Sequence, residues 1–398
     1  MNILVVNAGS SSLKYQIINT ETEQTIVRGL CDEVGKHDSV HKFVVDEEDF
    51  VITEPMKDHL QAIQDVMENL IANPKVQISS FSEIGAVGHR VVQGGDKFDH
   101  SVLVDNDVIK EIESLSALGP LHNPAAVACM RACMEIMPDI PHVAVFDTAF
   151  HQTMPPEAYM YALPYEYYEA YGLRRYGAHG TSHRYLAHRA AQLVGKPIEE
   201  LKIITCHLGN GASLAAIKDG KCIDTSMGLT PLGGMMMGTR CGDIDPAIVP
   251  FLIKETGLNS ISINEVMNRN SGLLGVSGVS NDMRLVTAAY EKGNERCKLA
   301  LDMYAHICKK FIGSYYVELG GVDVIVFSAG VGENCGFMRN KILDGLQFMG
   351  IYVDEKANAT RGEEIELTTK DSTIKVIAIP TKEELMIARD TYALAKNA

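Results

Sequence analysis

A chain of 398 residues exceeds what one hydrophobic core usually serves, and 46% apolar with 22% charged residues excludes a largely disordered polypeptide, so two globular domains are expected. A formal charge of −15 repels polyphosphate backbones and anionic lipid over most of the surface, which argues against nucleic-acid and membrane partners. Nine cysteines without a Cys-x-x-Cys pair, and an opening apolar run that stops at Val6 with no basic residues before it, predict free buried thiols in a cytoplasmic protein.

In chain order, the apolar residues 3–6 read as a strand that runs into Asn7-Ala8-Gly9-Ser10-Ser11-Ser12, with a second strand starting at Leu13. Leu60, Ile63, Met67, Leu70 and Ile71 keep helical spacing. So do Val108, Ile109, Ile112, Leu115 and Leu118, with Asp107 as the expected cap and Gly119-Pro120 as the stop. Cys129 and Cys133 lie one helical turn apart in an apolar stretch. Residues 143–146 form a strand that delivers Asp147, and residues 203–206 another that leads into His207-Leu208-Gly209-Asn210-Gly211-Ala212-Ser213. Asp245-Pro246 reads as a helix start and Gly257 as its end. A long helix is expected over 295–319, and strands over 322–327 and 375–379.

Alternating strands and helices give an α/β class. The order strand, small-residue turn, strand occurs at the N-terminus and again about 200 residues later, as a duplicated domain would produce. In open α/β sheets ligands gather beyond the carboxyl ends of the strands, so the polar clusters there are the candidate sites.

The turns 7–12 and 207–213 can aim several backbone N–H groups at one anion. Neither fits a Walker A or Gly-x-Gly-x-x-Gly loop, because both lead into strands. A third cluster, Ser328-Ala329-Gly330-Val331-Gly332-Glu333-Asn334, reads as a glycine-rich turn before a helix near 337–346, suited to seating a nucleotide. Arg90 in Gly88-His89-Arg90-Val91-Val92-Gln93-Gly94-Gly95, and Arg240 among Gly233, Gly234, Gly238 and Gly242, can present guanidinium forks to a carboxylate or phosphate; a structural salt bridge is the plainer alternative. His179 and His183 are four apart, but no Glu accompanies them as a zinc motif requires. Cys206 and His207 are adjacent on a strand, so they point to opposite faces and make no nucleophile pair.

Taken together, Asn7 to Lys14, Gly88 to Gly95, His122-Asn123-Pro124, Phe146 to His151, Arg174 to His183, His207 to Ser213 and Pro380 to Glu384 resemble the acetokinase (acetate kinase) family, in order over nearly the whole chain. The resemblance implies a duplicated ribonuclease H-like (actin-like) fold with a cleft between two domains: 1–150 plus 384–398, and 151–383. It implies an ATP-dependent kinase for acetate, with Mg²⁺ (or Mn²⁺) as cofactor and a homodimeric assembly. On matching positions, Arg90 and Arg240 would hold the acyl carboxylate and the moving phosphoryl group, His179 would hydrogen-bond that group, and Asp147 would be the catalytic acid and metal organiser. Asn7 and Glu383 would support the metal. Ser10, Ser12 and Lys14 would steady phosphates. His207, Leu208, Gly209, Asn210, Gly211, Asp282, Met283, Arg284, Gly330, Val331, Gly332, Glu333 and Asn334 would line the nucleotide site. Val92, Leu121, His122 and Pro231 would form the acyl pocket, and the small Ala178 leaves propionate or butyrate open as acceptor. Leu385, Ala388, Tyr392 and Ala395 would give the last helix its packing stripe. A non-enzymatic nucleotide-binding module on the same fold is the rival of a different class.

Overall fold

The computed structural model describes residues 1–120 and 122–398. The chain divides into two compact units: Met1–Phe150 with Lys382–Ala398, and His151–Thr381.

In the first unit, the run Ile3 to Val6 is at most 1% exposed, as a strand covered on both sheet faces must be. It forms the centre of β1 (Asn2–Ala8). β1 pairs antiparallel with β2 (Ser12–Asn19), which pairs with β3 (Gln24–Asp32). β4 (Val40–Val45) and β5 (Glu48–Thr53) extend that edge. On its other side β1 runs parallel to β6 (Ile84–Val91), and β6 parallel to β8 (His142–Phe146), with β7 (Val102–Leu103) antiparallel at the edge. The helices His59–Ala72 and Asn123–Ile136 bury Ile63, Met67, Cys129 and Cys133 against Leu4, Val6 and Val87. The helix Glu383–Ala395 packs Leu385, Ile387 and Ala388 against Ile3, Val5, Ala86 and Val145.

The second unit repeats the plan. β9 (Lys202–Leu208) pairs antiparallel with β10 (Ala212–Lys218), and β10 with β11 (Lys221–Thr225). β9 is parallel to β12 (Val324–Ser328), and β12 to β14 (Lys375–Ala378), with β13 (Ile365–Glu366) antiparallel at the edge. The orders β3-β2-β1-β6-β8-β7 and β11-β10-β9-β12-β14-β13 correspond strand for strand in position and direction. This is the duplicated ribonuclease H-like arrangement. The helix Glu295–Glu318 anchors the core through Leu301, Tyr304 and Ile312. Among the described residues no helix is long and apolar enough to cross a membrane.

Four local expectations are corrected. Asp105, not Asp107, caps the helix Asn106–Ser114, because its carboxylate accepts from the N–H groups of Asp107 and Val108. Asp245-Pro246 forms a preceding turn, with Ile248 and Val249 donating to the carbonyls three residues back, so the helix begins at Ile248 and still ends on left-handed Gly257. The cluster after β12 is itself a short helix, Ala329–Asn334, followed by another at Gly336–Leu343. In the last helix Tyr392 is 38% exposed and fully buried Thr391 takes its place, its hydroxyl turned back to the Ile387 carbonyl.

Candidate functional site

In the first unit the parallel strands β6 and β8 end side by side and present Arg90 and Asp147. The Asp147 N–H donates to the Val91 carbonyl at 2.9 Å, which continues the ladder to the last residue before the loop. Asp147 is 1% exposed and receives Arg90 Nε at 3.1 Å and Nη2 at 2.7 Å, a forked pair. Arg90 Nη2 also stands 3.7 Å from Glu383 Oε2, at the first turn of the last helix. Burial works against the Arg90 charge, but Asp147 and Glu383 outweigh it and raise the guanidinium pKa. Burial pushes the Glu383 carboxyl up, Arg90 pulls it back, and Asp147 adds to the push. Burial likewise raises Glu384. Asn7 and Lys14 face each other across the β1–β2 hairpin. The turn between them closes through Gly9 N–H to the Ser12 carbonyl at 2.8 Å, and the Gly9 carbonyl receives His59 Nε2 at 2.9 Å.

The acyl-pocket candidates on this unit sit around the same loop. Val92 is half-buried just past β6. His122 precedes the helix Asn123–Ile136, and buried Asn123 locks that start to the loop by bonding both the N–H and the carbonyl of Gln93. Leu121 lies outside the described residues.

In the second unit three loops converge on Gly211. A carbon placed where its Cβ would be lies 3.5 Å from His179 Nε2 and 3.6 Å from Arg240 Nη1. His179 occupies the left-handed region (φ 57°) immediately before the helix Gly180–Val194, which turns its ring out of the helix. Its Nδ1 is 2.8 Å from Ser213 Oγ, and its ring stacks on His207 at 4.2 Å. Ser213 Oγ is also 2.8 Å from Nε2 of His183, an imidazole driven well toward neutrality by burial and by its neighbours His151 and His207. The two rings thus share one hydroxyl, His179 through Nδ1 and His183 through Nε2, while His183 Nδ1 lies 2.7 Å from Thr205 Oγ1. Ser182 Oγ links His207 Nδ1 to Thr381 Oγ1, each at 2.8 Å.

Arg240 is held by a loop that only glycine can close. Gly234 and Gly242 have φ of 88° and 71°, and a Cβ on either would lie about 2.5 Å from backbone atoms. Asp243 pins this loop by receiving the Gly234 N–H at 2.7 Å. Arg240 Nη1 donates to the Pro231 carbonyl at 3.1 Å. Burial lowers its pKa, and among the described residues it has no carboxylate partner. A half-buried guanidinium without a counter-ion, beside an imidazole and a small-residue turn, suits a bound anion. The Asn210 carbonyl receives the Gly238 N–H, and Asn210 Oδ1 receives Asn281 Nδ2 at 3.0 Å, which fastens the 207–213 turn to this loop.

The remaining nucleotide candidates divide. Leu208 and Met283 turn their side chains into the core. Asp282 caps the helix Met283–Glu291 and pairs with exposed Arg284. Gly330, Val331, Gly332, Glu333 and Asn334 form the short helix after β12, where Glu333 Oε1 accepts from the N–H groups of Ala329 at 2.7 Å and Thr381 at 3.0 Å. Ala178 is 2% exposed and packs within the core of this unit. Sequence reasoning did not assign Ser213, His183, Asn123 or Arg339. The first three lie inside the motifs named above, whereas Arg339 carried no signal.

A sequence profile of the acetokinase family matches residues 2–389. The chain is 54% identical over 399 residues to an acetate kinase of Halothermothrix orenii, covering 100% of both chains. Among solved structures it is similar to Porphyromonas gingivalis acetate kinase (TM-score 0.96, 45% identity, 99% of each chain). It also resembles a propionate kinase from Francisella tularensis (TM-score 0.92, 40% identity, 99% of each chain).

Proposed function

The chain belongs to the acetokinase family, a carboxyl-group phosphotransferase lineage that uses ATP, and from that premise we propose that it transfers the γ-phosphoryl group of ATP to acetate. The observation that carries the reading is the convergence of His179 Nε2 and Arg240 Nη1 on Gly211, with no carboxylate among the described residues to neutralise the guanidinium.

Acetate is already an anion at neutral pH, so its attack on phosphorus needs alignment and charge neutralisation more than a base. Direct in-line displacement spreads negative charge over three equatorial oxygens, and in this reading Arg240 and His179 stabilise them by hydrogen bonds that strengthen as charge develops. An arginine in that role is worth ~10³ to 10⁵ in rate, roughly 4 to 7 kcal/mol. Arg90, its fork oriented by Asp147, is assigned the acyl carboxylate, and Val92, His122 and Pro231 the pocket around the methyl group. Ser10, Ser12 and Lys14, the turn from His207 to Gly211, and the segments 282–284 and 330–334 are assigned to ATP.

The carboxylates Asp147 and Glu383, with the Asn7 amide, are hard oxygen donors of the kind Mg²⁺ takes, and the burial-raised Glu383 carboxyl stands to gain from a nearby cation. Bound there, Mg²⁺ would supply charge neutralisation to the phosphates. Our reading also includes domains at 1–150 with 384–398 and at 151–383, a homodimer and a cytoplasmic setting.

Hydroxylamine trapping tests the assignment. Incubation with ATP and Mg²⁺ should yield acyl hydroxamate fastest with acetate, more slowly with propionate and butyrate, because one methylene shifts pocket binding by ~1 to 3 kcal/mol. Absence of hydroxamate from all three acids defeats the kinase reading; a faster rate with propionate reassigns the acceptor.

A further inference from the structure

Strand alternation sends His89 to the sheet face opposite Arg90, toward the helix Asn123–Ile136. There it meets Cys129 and Cys133, spaced one turn apart on that helix. All three residues are at most 2% exposed, and a His89 ring nitrogen and the two sulfurs lie within 4.8 Å of one another.

The hydrogen bonds around His89 decide which of its nitrogens can act as a ligand. His142 Nε2 is 3.0 Å from the Met137 carbonyl, which only accepts, so that nitrogen carries the proton. Burial disfavours the imidazolium of both rings. Neutral His142 therefore offers an unprotonated Nδ1, and His89 Nε2 must donate to it across 3.0 Å. Neutral His89 is left with a lone pair on Nδ1. That nitrogen is buried and has no hydrogen-bond partner among the described residues, the kind of vacancy folded interiors seldom keep.

We propose that His89 Nδ1, Cys129 Sγ and Cys133 Sγ form a buried site for one thiophilic d¹⁰ divalent cation of the zinc class. Imidazole and thiolate are its preferred donors, and the His142 bond to the other ring nitrogen is the usual orienting contact behind a ligating histidine. Both thiols lose their protons to solvent on binding, so two thiolates and one divalent ion sum to zero charge, which an apolar interior tolerates. Tetrahedral coordination would set the ligand atoms about 3.6 to 3.8 Å apart, a contraction of no more than about 1.2 Å from the present spacing. The ion would tie β6 to the helix behind Arg90 as a structural clasp.

The test uses the full chain, refolded with stoichiometric Cd²⁺ and separately with Zn²⁺, then desalted. The wild type should retain about one ion per chain by mass spectrometry, with a thiolate-to-cadmium ultraviolet band. The Cys129→Ala/Cys133→Ala variant, whose alanines suit the apolar surroundings, should fold with an unchanged circular dichroism spectrum and lose both signals. His89→Gln, which keeps a donor toward His142, should lose most of the retained metal. Wild-type protein that folds without retaining either ion overturns the proposal, as does equal retention by the double-alanine variant.

Discussion

At the scale of single residues, Gly211 is the sharpest point of the candidate site. Its backbone has a φ that other residues adopt, and an added methyl would meet only ordinary van der Waals neighbours. Those neighbours are His179 Nε2 and Arg240 Nη1, so the methyl would occupy space that a bound phosphoryl oxygen needs in the proposed reaction. Gly211→Ala should therefore keep its thermal midpoint within a degree or two while kcat/KM for hydroxamate formation falls about 100-fold, the scale of a misplacement near 1 Å. Calorimetry and steady-state kinetics on the same preparation check both halves. Full activity would remove the Gly211 corner from the reaction. The motif containing Gly211 was legible in the sequence, because a small-residue turn between two apolar runs is a local signal. Its convergence with Arg240 was not, since 29 positions separate them in the chain and only the folded loops bring them together.

Among the elements, the short helix Ala329–Asn334 shows how a loop-like sequence becomes a fixed shape. Two glycines and an asparagine in six residues give it little propensity of its own. It holds because fully buried Arg339, one helix later, donates to the carbonyls of Gly332 and Glu333 at 2.8 Å and of Thr360 at 2.9 Å, and to Asn358 Oδ1 at 2.8 Å. Burial lowers the Arg339 pKa, but these acceptors take up its donors in the absence of a carboxylate. Arg339→Lys cannot reproduce a planar fork and leaves carbonyls bare, a cost of about 1 to 3 kcal/mol for each buried group unsatisfied. The variant should unfold at clearly lower urea and, in our assignment of 330–334 to ATP, show a raised KM for ATP with little change in the KM for acetate. A wild-type urea midpoint would contradict the clamp. Strands and long helices were readable from hydrophobic period because their signal is local. This clamp was not, because its acceptors are backbone carbonyls that any sequence supplies.

For the whole molecule, the duplication was visible in sequence only as two small-residue hairpins, whereas the matched sheet orders extend it to every strand from β1 to β3 and from β6 to β8. The two units also share a reliance on buried neutral histidines, and this sets a pH dependence. His41, fully buried, receives the Asn69 amide on Nδ1 at 3.4 Å and so donates from Nε2 to the Tyr15 hydroxyl at 2.7 Å. Burial lowers its pKa from 6.5 to about 4. Unfolded chains therefore take up this proton below pH 6.5 while the native state refuses it, so stability is complete above that pH and falls as pH drops toward 4. The full loss from this one group is roughly 3 kcal/mol. Asp224 works in the opposite direction, because burial raises its carboxyl to about 6 and acid stabilises the native state there. A comparison within one position separates the two. His41→Gln keeps an amide donor toward Tyr15 and cannot titrate, so it should begin less stable at pH 7 and lose less on acidification, its unfolding free energy gaining roughly 3 kcal/mol relative to wild type by pH 4. Urea titrations at half-unit pH steps measure this directly. Parallel curves for the two proteins would mean that His41 takes up its proton equally in the native and unfolded chains.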